Sequence, residues 1–308
     1  MPLEILGKMY EKANKEYYAI GQFNFSNLEF LQSALDAAEE MKSPVIVALS
    51  TGAIKYGGIK NLVALTSTMA DQISAPVALH LDHGATLDDV KMCVDAGFTS
   101  VMIDGSHHSL EENIKLTRQA VDYAHANGGI TVEAELGRLG GIEDDVNVDE
   151  RDARLTDPEE AVRFLEESGC DALAVAVGTS HGAYKFKGEN AIDFDRIKII
   201  KEKLGIPLVL HGASSVDPES VAQINEYGGK IEGAKGLDAE SYKKAIERGI
   251  NKVNIDTDLR LRWTATMRKL MVEKPGEFDP RKYLGPARDA VKELIKQKMK
   301  LLGSAGMA

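Results

Sequence analysis

The chain has 308 residues, 44% of them hydrophobic and 28% charged, which is enough apolar material for a sizeable globular core. Its formal charge of −11 argues against nucleic acid or an acidic membrane surface as a partner, so any anionic ligand must be met by local positive groups. The two cysteines, Cys93 and Cys170, lie in apolar patterns and read as reduced packing residues of a cytoplasmic protein; no basic-then-apolar leader opens the chain and no apolar run has the length of a membrane span.

Apolar strand-like runs alternate with amphipathic helical patterns along the whole chain. In order, the periodicity predicts a strand over 19–25, a helix over 27–41, a strand over 45–49, a helix over 62–73, and strands over 77–81 and 100–103. A helix over 110–127, a strand over 130–135, a helix over 158–168 and strands over 172–177 and 207–210 follow, then a helix over 239–249 and a strand over 252–255. Pro158 and Gly249 are terminal punctuation of the kind helices use. Residues 137–156 read as a long, acidic, glycine-bearing loop, a candidate lid. Residues 228–237 also read as a loop. Past the last strand, 258–272 is helical, 275–286 interrupts the pattern and 288–300 resumes it. That final helix exceeds what the repeat needs and is a candidate oligomer contact.

Eight strands joined by helices predict an α/β protein with a (β/α)8 TIM barrel fold, one domain over 1–308 with a C-terminal helical extension from about 275. An open, doubly wound sheet is the competing arrangement. It would gather its ligand residues at one switch point. Here polar residues close nearly every strand instead: Asn24, Ser50, Asp82, Asp104, Glu135, His181, His211 and Asn254.

Three stretches bring a histidine to a strand end ahead of a glycine: His80-Leu81-Asp82-His83-Gly84, Thr179-Ser180-His181-Gly182 and Leu210-His211-Gly212-Ala213. Three imidazoles from separate strands suit one metal ion with a coordination position left for substrate. His80 shares the facing of Asp82 and is expected inside the barrel on hydrogen bonds, whereas His107, His108 and His125 fall on a loop or helix face. Asp82 reads equally well as a proton-transferring group or as a carboxylate that orients a histidine. Asp104 and Glu135 read either as oxygen ligands of a second, exchangeable cation or as hydrogen-bonded mouth residues. Glu133 faces the same side as Glu135 but deeper. Glycines 137, 140 and 141 would let Glu143 swing in as a general acid or base, while Asp144 and Asp145 read as a solvated face. Lys185, Arg260 and Arg281, with backbone amides near Gly182, Gly212, Ser214 and Thr257, could meet an anion.

These residues resemble the class II, zinc-dependent fructose-1,6-bisphosphate aldolases over nearly the whole chain, from Gly21-Gln22-Phe23-Asn24 to Asp279-Pro280-Arg281-Lys282-Tyr283. The specific motifs are His80-x-Asp82-His83-Gly84 and Val132-Glu133-Ala134-Glu135-Leu136-Gly137 followed by Gly140-Gly141-Ile142-Glu143, completed by the stretches at 179–182, 211–214 and 254–258. The resemblance implies a catalytic Zn2+ on His83, His181 and His211, with Asp104 and Glu135 as secondary or alternate metal ligands. It implies that Asp82 acts on the C4 hydroxyl, that Glu143 exchanges the proton at C3 of the three-carbon product, and that Asn254 lies against the reacting carbons. It implies a site for the C1 phosphate and nearby hydroxyls at Lys185, Ser214, Asp256 and Thr257. For the far phosphate it implies Ser50 and Arg260, with Arg281 from a neighbouring subunit. Some members also bind a monovalent cation (Na+ or K+) at the backbone around Gly182, Gly212 and Ser214. A homodimer or homotetramer acting on a phosphorylated sugar in glycolysis and gluconeogenesis is the corresponding expectation.

The alternative aldolase chemistry uses a lysine Schiff base. The sixth strand, Leu173-Ala174-Val175-Ala176-Val177, carries no lysine and none closes its neighbours, which favours the metal route. Tagatose 1,6-bisphosphate is the nearest rival substrate, and Asp256 after Asn254 resembles the fructose-type members. A metal-dependent barrel hydrolase would be expected to open with two histidines one residue apart, which are missing. An inactive binding protein on the same barrel would show a broken constellation, and none of the proposed groups is broken.

Overall fold

The computed structural model describes residues 3–143, 146–148, 153–181 and 192–308, with the backbone alone described for 141–143, 146–148 and 181. In chain order the elements are α1 (Leu6–Glu16), β1 (Ile20–Asn24), α2 (Leu28–Met41), β2 (Val45–Ser50), α3 (Thr51–Gly57), α4 (Ile59–Ala70), β3 (Val77–Gly84), α5 (Leu87–Ala96), β4 (Ser100–Ile103), α6 (Leu110–Ala126) and β5 (Thr131–Leu136). Then come β6 (Gly140–Glu143), β7 (Val146–Val148), α7 (Pro158–Ser168), β8 (Ala172–Val175), β9 (Ser180–His181), α8 (Phe194–Leu204), β10 (Leu208–Leu210), α9 (Pro218–Glu226), α10 (Ala239–Glu247), β11 (Ile250–Ile255), α11 (Thr257–Glu273) and α12 (Arg281–Leu301).

Eight strands close a parallel barrel in the order β1-β11-β10-β8-β5-β4-β3-β2, so the chain is a (β/α)8 barrel. Helix starts are written locally. Thr86 with Asp89 and Ser109 with Glu112 form capping boxes, and Asp157 and Asp217 cap helices that open on proline. Strand alternation then sorts side chains by depth. Ile20, Ile46 and Ala78 fill the lower barrel together with Ala172 and Val209, and α1 plugs that end with Leu6, Met9, Tyr10 and Ala13. Two residues further along β1 and β3 the inward positions turn polar, Gln22 above Ile20 and His80 above Ala78, while Ala48 on β2 and Ala174 on β8 stay apolar at that level. Another two bring Asn24 and Asp82 to the mouth.

Three local expectations are corrected. The segment after β5 is not a plain loop: β6 and β7 pair antiparallel, Arg138 bridges Arg154, and β6 runs parallel to β9, setting Gly141 opposite His181. Its branched residues, Ile142, Val146 and Val148, suit strands, and the glycines hide that signal. The last helix begins at Arg281 and takes in Pro286 near its start, where only one intrahelical hydrogen bond is lost. It is also not surplus to the barrel. It packs on α2 and α11 and buries Ala287, Val291, Leu294, Ile295 and Met299. Among the described residues no helix is long and apolar enough to cross a membrane.

Candidate active site and metal centre

The mouth of the barrel gathers residues at the ends of β1, β2, β3, β4, β5, β10 and β11. On β3, simple alternation would point Asp82 and His83 to opposite faces. The ladder to β4 shifts register between Leu81 and Gly84, and His83 adopts φ 49°, so the strand end turns and both residues border the site. Gly84 is required there, because a Cβ would stand 2.7 Å from the Met102 carbonyl oxygen. Gly212, at φ 59°, is required for a similar reason: a Cβ would lie 2.5 Å from the Ser180 carbonyl oxygen. That close approach sets the backbone carrying His181 against the loop that begins at His211.

His83, Glu135 and His211 place ligand atoms within 4.8 Å of one another. His83 Nδ1 lies 2.9 Å from Asp104 Oδ2, and His211 Nε2 lies 3.0 Å from Glu133 Oε1. Both carboxylates are held ionised. Burial opposes the charge of Asp104, but the His83 and Ser106 hydrogen bonds hold its pKa well below the usual range. Burial likewise opposes Glu133, and the Lys252 ammonium with the His211 hydrogen bond brings it to about 2. Ionised carboxylates only accept, so each imidazole donates through its outer nitrogen. The inner nitrogens, His83 Nε2 and His211 Nδ1, face one another 3.0 Å apart, a spacing that either a proton shared between them or a cation bound to both lone pairs can hold. The separation is near the edge, about 3.3 Å, of a tetrahedron with zinc–nitrogen bonds of about 2.0–2.1 Å.

The charge balance points the same way. Asp82, Asp104, Glu133 and Glu135 are all buried in this chamber, and Lys252 supplies one compensating ammonium. Among the described residues Glu135 Oε2 is buried without a hydrogen-bond donor, 3.4 Å from His211 Nδ1. Burial, then the neighbouring Asp104 charge, pushes the Glu135 carboxyl well above its usual range. Against burial, the Asp104 hydrogen bond and surrounding carboxylates raise His83, whereas burial lowers His211. A divalent cation would relieve these conflicts together. The residues present therefore fit a metal ion. Glu135 groups with His83 and His211, while Asp104 orients His83 from behind.

Asp82 is gripped on both oxygens: Asn24 Nδ2 donates to one at 2.7 Å and Asn254 Nδ2 to the other at 3.1 Å. Burial opposes its charge, but His83, His211 and Lys252 hold its carboxyl well below the usual range. Gln22, fully buried, donates to Asn24 Oδ1 at 3.0 Å and so orients that amide. To one side, Asn24, Ser50, Asp256 and Arg260 line a common cavity. Arg260 holds Asp256 at 2.8 Å, and Ser50 Oγ caps α3 by accepting from Ala53. Ser214 is buried in the loop after β10 and Thr257 opens α11. Arg281 is exposed and its guanidinium forks onto Asp279. Gly182 and Lys185 lie outside the described residues, as do the side chains of His181 and Glu143.

His80 is fully buried, with Nδ1 2.8 Å from Ser100 Oγ, and burial with the Lys252 charge brings its pKa down to about 3. Outside the site, the His107 and His108 rings meet at a tilt of 40° with centroids 4.0 Å apart, and His125 pairs with Asp171 at 2.9 Å. The reading of residue types missed the layer below the ligands. Lys252 Nζ sits 2.7 Å from Glu133 Oε2, beneath His211. The signal was present, since Lys252 stands two residues before Asn254 on β11 and so shares its facing. Both cysteines are free and buried, and burial pushes their thiols up to about 12.

The family model described as Fructose-bisphosphate aldolase class-II matches residues 5–307. The fructose-bisphosphate aldolase of Thermus caldophilus is 55% identical over 306 residues, covering 99% of this chain and 98% of its own. That of Giardia intestinalis is 49% identical over 311 residues, covering 100% and 95%. Among solved structures, the YdjI aldolase of Escherichia coli K12 aligns with a TM-score of 0.80 at 32% identity, covering 99% of both chains. Barrel, motifs and relatives agree, and the chain belongs to the class II fructose-bisphosphate aldolase family.

Proposed function

We propose that this protein reversibly cleaves fructose 1,6-bisphosphate between C3 and C4, giving dihydroxyacetone phosphate and glyceraldehyde 3-phosphate, and that it does so in the cytoplasm. One observation carries the reading: ligand atoms of His83, Glu135 and His211 converge within 4.8 Å of one another, with an ionised carboxylate bonded behind each imidazole. The proposed ligands are His83, His211 and His181, with Glu135 taking a place when substrate is absent and Asp104 near enough to serve a second divalent ion. Bound there, Zn2+ would supply Lewis-acid polarisation of the substrate carbonyl.

The chain's own groups handle protons and position. Asp82, ionised and aimed by Asn24 and Asn254, takes the proton from the C4 hydroxyl as the C3–C4 bond breaks and C4 becomes an aldehyde. Glu143, at the end of β6, returns a proton to C3. In the synthetic direction each group reverses its own transfer: Glu143 takes the proton from C3 and Asp82 returns one to the C4 oxygen. Asn254 bridges Asp82 and the reacting carbons. Lys185, Gly182, Gly212, Ser214, Asp256 and Thr257 receive the C1 phosphate and adjoining hydroxyls. Ser50 and Arg260 receive the other phosphate, with Arg281 presented by a neighbouring subunit of a homodimer or homotetramer. A monovalent cation (Na+ or K+) at the backbone of 182, 212 and 214 completes the first phosphate site.

Lys252 takes no part as a nucleophile, being sealed below the mouth and engaged by Glu133. Coupled assays with fructose and tagatose 1,6-bisphosphates test the reading. The fructose substrate is expected to give the higher kcat/KM; preference for tagatose would reassign the substrate, and no cleavage of either would refute the proposal.

A further inference from the structure

The last helix reaches from the outer ring to the loop that follows β10. This loop, residues 211–216, begins at buried His211 and ends on Val216, a β-branched residue at φ 52°. Such a conformation persists only where the surroundings over-determine it. Asp258, in the first turn of α11, accepts the Ser215 N–H at 2.8 Å and its hydroxyl at 2.9 Å on one oxygen, and the Val216 N–H at 2.6 Å on the other. Lys298, on α12, sets its ammonium 2.6 Å from Asp258 Oδ2 and donates to Ser215 Oγ at 2.7 Å. Tyr242 on α10 lies beside it, with its ring centroid 5.0 Å from that ammonium and its hydroxyl donating to the Ala213 carbonyl.

Barrel closure does not call for a charge here. The helix already buries an apolar face, and a buried ion pair is a poor source of stability compared with apolar side chains. What a buried, fully hydrogen-bonded charge adds is one defined arrangement of its partners. Every partner of this ammonium leads to residues 213–216, next to the proposed phosphate contacts.

We propose that Lys298 is a positioning residue for the reaction: through Asp258 and Ser215 it holds the loop 212–216 in the conformation that meets the C1 phosphate of the substrate. This rests on the reading of Gly212 and Ser214 as phosphate contacts.

The test compares full-length, zinc-loaded wild type with Lys298→Met, Lys298→Arg and Ser215→Ala. Lys298→Met is expected to raise KM for fructose 1,6-bisphosphate and Ki for inorganic phosphate about 10-fold, with zinc content kept and kcat changed less than about threefold. Amide exchange at Ser215 and Val216 should quicken about 10-fold. Lys298→Arg should restore part of each effect. Ser215→Ala removes the hydroxyl bridge but keeps the Lys298–Asp258 pair; it should shift all readouts the same way by less, and it carries the test if Lys298→Met fails to fold. Unchanged exchange at 215–216, or faster exchange with KM and Ki unmoved, overturns the proposal. A wild type indifferent to inorganic phosphate overturns the phosphate reading, and the proposal with it, whatever the exchange data show.

Discussion

Lys252 and Glu133 face each other across the barrel interior at 2.7 Å, and the second oxygen of the same carboxylate accepts from His211. The ion pair is sealed from solvent and lies directly under a proposed metal ligand. Removing one partner leaves a buried, uncompensated charge. Lys252→Met is therefore expected to lose about 3–5 kcal/mol in urea unfolding. Glu133→Gln frees His211 to take either tautomer, and metal affinity in a chelator competition should fall about 10–100-fold. Unchanged affinity would mean that His211 is oriented by something other than Glu133.

The metal itself can be removed. Dialysis against EDTA is expected to abolish cleavage, and Zn2+ to restore it. Full activity in protein shown by elemental analysis to be metal-free would refute the reading of the histidine pair.

Asp82 is placed beside the metal site but held by amides. Asp82→Ala should keep bound zinc while cleavage slows by about 10²–10⁴-fold, the usual worth of a positioned acid or base. Loss of zinc together with activity would recast Asp82 as a support for the ligands.

Glu143→Ala should slow exchange of the C3 proton of dihydroxyacetone phosphate, followed by NMR in deuterated water, more than it weakens binding of that product. An unchanged exchange rate removes Glu143 from the mechanism.

Acid stability follows from Asp258. Burial opposes its charge, yet Lys298 and the Ser215 hydrogen bonds hold its pKa below the ordinary 3.8. The unfolded chain therefore binds this proton at higher pH than the folded one. The stabilisation is complete above the ordinary value and is lost as pH falls through the lower folded one. Asp258→Asn should be less stable than wild type at neutral pH, with the gap narrowing below about pH 4. A gap constant with pH would show that the charge of Asp258 contributes nothing.

Much of the fold was legible because period and polarity are local. Apolar runs such as 45–49 and 77–81 predict buried parallel strands, and a polar residue closing each one marks the mouth. Alternation also put His80 and Glu133 on the inward side. The shorter signals failed where glycine hides a strand, as at Gly140–Glu143, or where a proline sits just inside a helix, as at Pro286.

By itself, then, the order of residues determined the strand–helix alternation, the inward facing of most site residues and the family motifs, since each depends on neighbours a few positions apart. Tertiary structure alone decided that a register shift turns His83 to the same side as Asp82, and that Glu135 joins the histidine pair while Asp104 stands behind it. It alone set Lys252 under His211, and Lys298 against a loop 83 residues earlier in the chain. Those relations depend on which strand end lies beside which, and on carboxylates and ammonium groups that tolerate burial only when matched. Local periodicity does not encode that matching, because the partners meet only once the barrel has closed.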